Sequence, residues 1–283
     1  MNRDSETMRE RSILDILNES FAAFGKGFRE YAVISLLVFA PANLITFLGP
    51  RTSLQQYVSE GSMPGSAVIF YVVVAIVTLV STTAVWSASS VATGQQMVTG
   101  SINVKDCFQR VSWRIYSLFF VSFVLTICLA LGLIGVALIV PAVASVAFLL
   151  MASFALPVAL YEGKKYTSAL IRSFQLVRVN WVRILGGMSL IVLIMLGITV
   201  LISVPTLFMA SPVTGGISML ALVIQYFLSL VANTVAVVIS AVAVTLIYFD
   251  TRVRMEGFDE EQLSSEIGYQ AQVIHSESKV SKY

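Results

Sequence analysis

The chain has 283 residues, of which 57% are hydrophobic and only 12% charged, with a mean hydropathy of +0.85 and a net charge of +2. A soluble chain of this length would carry roughly twice that fraction of charge, and so small a net charge gives no field for nucleic acid. Two cysteines, Cys107 and Cys128, and one histidine, His275, supply neither a disulfide framework nor a metal-ligand cluster.

Taken in chain order, residues 1–11 form a mixed-charge segment that is expected to be cytoplasmic. The first apolar run, Tyr31 to Pro50, is too long for a signal-peptide core and is expected to act as an uncleaved anchor. A second uncharged run covers Ala67 to Gly94. A spanning helix needs about 20 residues, so each of these holds one span. The run from Tyr116 to Tyr161 is long enough for two, with a turn expected between Gly135 and Pro141. The run from Ile184 to Phe249 holds two more, divided at Ser211-Pro212-Val213-Thr214-Gly215-Gly216. The sixth span, from Ile217, exceeds what one crossing requires and is expected to tilt, kink or extend beyond the bilayer core. The sequence therefore predicts an all-α polytopic membrane protein of six spans over residues 12–257, followed by a cytoplasmic tail, 258–283. In that tail Phe258 to Ile267 is expected to form one short helix with Leu263 and Ile267 packing.

Every lysine and arginine except Arg51 falls on one side of this six-span arrangement. By the positive-inside rule both termini are then cytoplasmic.

The segments before spans one, three and five share a pattern. Leu17, Phe21, Phe24, Phe28 and Tyr31 have the same spacing as Val104, Phe108, Val111, Ile115 and Leu118, and as Leu170, Phe174, Val177, Trp181 and Ile184. The spacing marks one face of a helix. It predicts three copies of a unit made of an interfacial amphipathic helix and a transmembrane hairpin, with Phe28 and Trp181 as interfacial anchors.

No Asp, Glu, Lys, Arg or His lies inside a span. This disfavours a buried proton relay, and it excludes intramembrane proteolysis by paired aspartates or a metal and a Ser–His mechanism within the membrane. No nucleotide-binding glycine loop is present. No cofactor is expected. Among uncharged polar residues Asn233 sits mid-span. It is expected to make an interhelical hydrogen bond, the functional alternative being contact with a ligand or lipid headgroup. The stripe Ser229, Ala232, Ala236, Ser240 and Ala243 is expected to pack closely against a neighbouring helix. Pro41, Pro141, Pro157 and Pro205 are candidate kinks. Charge chemistry is confined to the cytoplasmic rim, where Glu162, Arg172, Arg178, Arg183, Asp250, Arg252 and Arg254 form a candidate network, with Asp250 and Arg254 at i,i+4 spacing.

The segments Ala159-Leu160-Tyr161-Glu162-Gly163, Ala169-Leu170-Ile171-Arg172-Ser173-Phe174-Gln175-Leu176-Val177-Arg178 and Tyr248-Phe249-Asp250-Thr251-Arg252-Val253-Arg254 carry a resemblance, as do Glu256-Gly257-Phe258-Asp259, the Ile13–Leu17 start and the Pro141 to Pro157 spacing. The chain resembles the bacterial membrane domain associated with glycerophosphoryl diester phosphodiesterases and related six-span proteins. The resemblance implies the six-span fold and a bacterial cytoplasmic membrane. That family's catalysis resides in a separate barrel domain with acidic, metal-binding residues, and nothing like it is in this chain, so no active-site residue is carried over. The expected role is non-catalytic: an accessory or scaffold protein engaging membrane lipids or a membrane-associated protein. The alternative is a transporter or flippase for a lipid-like or small neutral molecule.

Overall fold

The computed structural model describes residues 11–49, 64–134, 139–209, 219–259 and 261–268. Among them there is no strand, and six helices are long and apolar enough to cross a membrane. The chain is an all-α multi-pass membrane protein. Its outer surface carries large apolar side chains such as Leu37, Leu48, Ile69, Val192, Leu193 and Leu201. Hydrocarbon solvates these as readily as a protein core would, while the helix satisfies its own backbone groups. The turn expected between Gly135 and Pro141 and the one expected at Ser211 to Gly216 fall largely or wholly outside the described residues.

Helix α1, Ile13–Lys26, opens with a capping box. The Ser12 hydroxyl accepts the Asp15 N–H at 3.1 Å, and the Asp15 carboxylate accepts the Ser12 N–H at 3.2 Å. After Gly27 comes the first span, α2, Phe28–Leu48, with Pro41 inside the helix. The second span, α3, Gly65–Thr99, ends at Gly100, whose φ of 71° suits glycine. Helix α4, Val104–Trp113, is capped by the Asn103 side chain on Asp106 N–H and leads through Arg114 into the third span, α5, Ile115–Ile134.

The fourth span is two helices, α6, Ile139–Met151, and α7, Ala155–Tyr161. Helix α8, Thr167–Val179, leads through Asn180 into the fifth span, α9, Trp181–Met209. The sixth, α10, Met219–Glu256, has 38 residues, about 57 Å at 1.5 Å per residue. That exceeds a hydrocarbon core of about 30 Å. The helix runs unbroken, with its charged residues confined to the last two turns, Asp250 to Glu256. A final helical turn pair covers 261–268.

Helices α1, α4 and α8 form where the shared spacing placed three amphipathic helices, and they end alike. Each stops at one residue, Gly27, Arg114 or Asn180, with φ between −103° and −122° and ψ between 12° and 33°. The carbonyl of that residue then opens the next span, accepting N–H from Tyr31, Leu118 and Ile184 at 3.0–3.1 Å. These three acceptor partners hold the same place in the predicted spacing, and all are buried. One position before Phe21, Phe108 and Phe174 stand Ser20, Cys107 and Ser173, each fully buried. A bulky side chain there would hold the interfacial helix off the bundle.

Helix α10 is the centre of the bundle, packing against α1, α2, α3 and α9. Ala232 and Ala243 of the small-residue stripe are buried there. On α3, Ser87, Ser89, Ser90 and Thr93 are buried and Gly94 faces Tyr161. A Cβ at Gly94 would lie 2.6 Å from the Tyr161 hydroxyl. That hydroxyl donates to the Ser90 carbonyl at 2.5 Å. Tyr161, Tyr248, Phe249 and Phe258 form a chain of ring contacts with centroids 4.9–6.2 Å apart. Phe258 and Leu263 bury in the same core, so the segment after Gly257 is docked against the membrane domain over the described residues.

Candidate functional site

The charged ends of the helices meet on one face of the bundle, above the aromatic layer. Two acidic side chains organise them. The first is Asp250 on α10, only 1% exposed. It accepts the backbone N–H of Arg11 at 2.7 Å, Arg183 Nη2 at 2.8 Å and Arg254 Nε at 3.0 Å. Arg183 and Arg254 also donate to the Arg11 carbonyl, Arg254 at 3.1 Å. The Arg11 guanidinium pairs with Glu19 at 2.8 Å. A carboxylate this deep costs several kcal/mol to desolvate unless paired and hydrogen-bonded, and here each oxygen has a donor. The result ties the start of α1, the start of α9 and the end of α10 together.

The second hub is Glu162, which follows α7. It accepts Arg172 Nε at 2.9 and 3.1 Å, and the Tyr248 hydroxyl at 3.2 Å, with Lys164 at 3.3 Å. Arg172 reaches on to Glu256. Glu256 pairs with Arg252 at 3.1 Å, and Arg252 pairs with Glu266 at 2.9 and 3.0 Å while lying over the Phe258 ring at 3.7 Å. This chain of pairs runs from α7 through α8 and α10 to the 261–268 helix. Burial pulls the Arg172 guanidinium down, but the Glu256 hydrogen bond and the Glu162 charge outweigh it and hold it above its ordinary value. Burial holds the Glu266 carboxyl above its ordinary range, and the Arg252 hydrogen bonds offset this only in part.

The structure thus brings together Glu162, Arg172, Arg183, Asp250, Arg252 and Arg254, but as two networks rather than one. Arg178 is not among them. It is exposed and makes no ion pair among the described residues. It stands six residues from Arg172, about 120° away around the helix, so the two project from different faces of α8. Sequence reasoning missed Arg11, Glu19, Lys164, Tyr248, Glu256 and Glu266. Glu256 and Tyr248 had a local signal, their i,i+4 spacing from Arg252. Lys164 lies two residues from Glu162 and Arg11 eight from Glu19, spacings that fix no pairing, while the Tyr248–Glu162 and Arg252–Glu266 contacts join separate helices.

With these carboxylates already matched, five further basic residues stand exposed on or next to the three interfacial helices: Lys26, Arg29, Lys105, Lys165 and Arg178. None has an acidic partner among the described residues. Of these, Lys26 lines a cleft of about 360 Å³ with Arg11, Glu19, Thr93 and Gln96. No trio of metal-ligating side chains occurs among the described residues.

Asn233 makes no interhelical hydrogen bond among the described residues, contrary to the expectation for a mid-span asparagine. It lines a cavity of about 60 Å³ between α2, α3 and α10. The reason is geometric: Asn43, the nearest amide on α2, donates instead to its own helix at the Phe39 carbonyl, 2.9 Å away.

No family model matches the chain, and no curated protein or solved structure matches it.

Proposed function

We propose that this multi-pass protein is a non-catalytic accessory or scaffold of a bacterial cytoplasmic membrane, with its charged face cytoplasmic, where it engages anionic lipid or an acidic partner surface. The observation that carries this is the division of labour among basic residues. Arg172, Arg183, Arg252 and Arg254 are committed to internal carboxylates. Lys26, Arg29, Lys105, Lys165 and Arg178 are exposed on the same face without acidic partners among the described residues. Each basic residue near an anionic leaflet contributes about 1 kcal/mol, so five act together where one would be weak. The resemblance to the phosphodiesterase-associated membrane domain supports the same placement and lends no catalytic group.

The test is to replace Lys105, Lys165 and Arg178 together with Gln and to measure anionic lipid retained through purification. Reduced retention with an unchanged melting temperature is the expected result. Unchanged retention of lipid and of any co-purifying partner overturns the reading. A second reading, a carrier for a lipid-like or small neutral molecule, is favoured by one observation, the uncharged polar cavity at Asn233.

A further inference from the structure

The cavity at Asn233 lies far from the charged rim. About 25 Å of helix axis separates Asn233 from Asp250, and the same length separates Thr82 from Thr99. With a hydrocarbon core of about 30 Å, the cavity belongs to the leaflet opposite the charged face. Asn43 and Thr46 come from α2, Thr78, Ser81 and Thr82 from α3, and Asn233 from α10. Six uncharged polar side chains therefore converge where lipid offers no hydrogen bonds.

Such groups are costly in hydrocarbon unless satisfied. Among the described residues only the Asn43 amide has a protein partner. The Asn233 amide and the hydroxyls of Thr46, Thr78, Ser81 and Thr82 have none. Packing does not explain the cluster, since alanine or valine would bring these helices together without the polar cost. An occupant that both donates and accepts hydrogen bonds does explain it. An ion does not fit: no charged side chain lines the cavity, and a charge at this depth is expensive without one. A volume of about 60 Å³ admits only a few atoms, given about 30 Å³ per water in the liquid. Thr46, Thr78 and Asn233 are exposed on the bundle surface, which leaves a lateral way in from the bilayer.

We propose that this cavity binds an uncharged hydroxyl group, presented either on the end of a membrane amphiphile or on a small free solute. A hydroxyl donates one bond and accepts two, which matches a lining of amides and hydroxyls that can each do both. The site is separate from the charged rim, so the two stand or fall independently: rim substitutions leave the cavity intact, and cavity substitutions leave the basic residues in place.

The test uses the full chain in lipid nanodiscs and native mass spectrometry. The probes are 1-dodecanol, its methyl ether, which keeps the oxygen but cannot donate, and ethylene glycol as a free solute. The expected result is retention of dodecanol or ethylene glycol, with the ether bound roughly tenfold more weakly, the effect of one lost hydrogen bond of about 1.4 kcal/mol. Dodecanol alone identifies an amphiphile site, and ethylene glycol alone a free-solute site. Asn233→Leu should lower retention by a similar factor. Thr82→Val, which removes a hydroxyl at nearly constant shape, repeats the test if the larger change impairs folding. Retention of dodecanol and of its ether to the same extent, retention unchanged in both variants, or retention of neither dodecanol nor ethylene glycol would overturn the proposal.

Discussion

Ser173 on α8 holds open the break in the fourth span that Phe154 closes. Its hydroxyl donates to the Met151 carbonyl at 2.7 Å and accepts the Phe154 N–H at 3.1 Å. The backbone leaves its helix between Met151 and Ala155, and one interfacial side chain satisfies a group on each side. Pro157 follows within the same turn and has no N–H to return to residue 153.

Ser173→Ala should therefore destabilise the fold by about 1–3 kcal/mol, the cost of leaving a buried backbone group without its partner. Ser20→Ala, at the equivalent place in α1, should cost less. Its hydroxyl bonds only the Ile16 carbonyl of its own helix, at 2.6 Å. Thermal unfolding of the two variants side by side measures the difference. Equal losses would show that the Ser173 bridge contributes nothing special.

Asp250→Ala should be among the most damaging substitutions at the charged face. It leaves Arg183, Arg254 and the Arg11 N–H facing a site with no carboxylate. Removing one partner of a buried pair costs about 3–5 kcal/mol. The lower end is expected here, because both guanidiniums are partly exposed and water relieves them. Glu19→Gln keeps an oxygen acceptor beside the buried Arg11 guanidinium and leaves the Asp250 contacts in place, so it should lower the melting temperature less than Asp250→Ala.

Cys107 should resist alkylation at neutral pH. Burial, and then the Asp106 charge, push its thiol up to about 12, so it stays protonated and shielded. A cysteine replacing exposed Ser101, a few residues away, should react readily. Because the folded pKa is raised, the protonated thiol favours the native state below about pH 8.5, the ordinary thiol value. That contribution is lost as pH rises toward 12. Labelling of native Cys107 at the rate of Ser101→Cys would contradict the burial described.

Much of this was legible beforehand because membrane constraints act locally. Apolar run lengths placed the six spans, and the shared spacing placed α1, α4 and α8. The Asp250–Arg254 pair followed from i,i+4 geometry. What could not be read were relations between distant segments. Nothing around Ala152 and Ser153 announces a break, since its cause is a serine on another helix. The partners of Arg11 and Arg252 likewise depend on where α1 and the 261–268 helix dock. Arg178 was a different failure, because its angle from Arg172 was available from helix geometry alone.

Orientation is tested by cysteines in a Cys107→Ser, Cys128→Ser background. Ser66→Cys, exposed at the start of α3, should react with a membrane-impermeant maleimide in whole cells. Ser264→Cys, exposed on the 261–268 helix, should react only after the membrane is opened. The reverse pattern would place the charged face outside and remove the basis for anionic-lipid engagement at the cytoplasmic surface.

The single-residue elbows at Gly27, Arg114 and Asn180 have a mechanical consequence. A loop between an interfacial helix and its span would absorb changes in their angle, whereas one residue between two helices has no slack. Any change in the angle between α1, α4 or α8 and the span it precedes must be taken up in the φ and ψ of that one residue. Gly27 has the widest range for this, and Arg114 and Asn180, each with a Cβ, a narrower one, so the first elbow is the easiest of the three to bend.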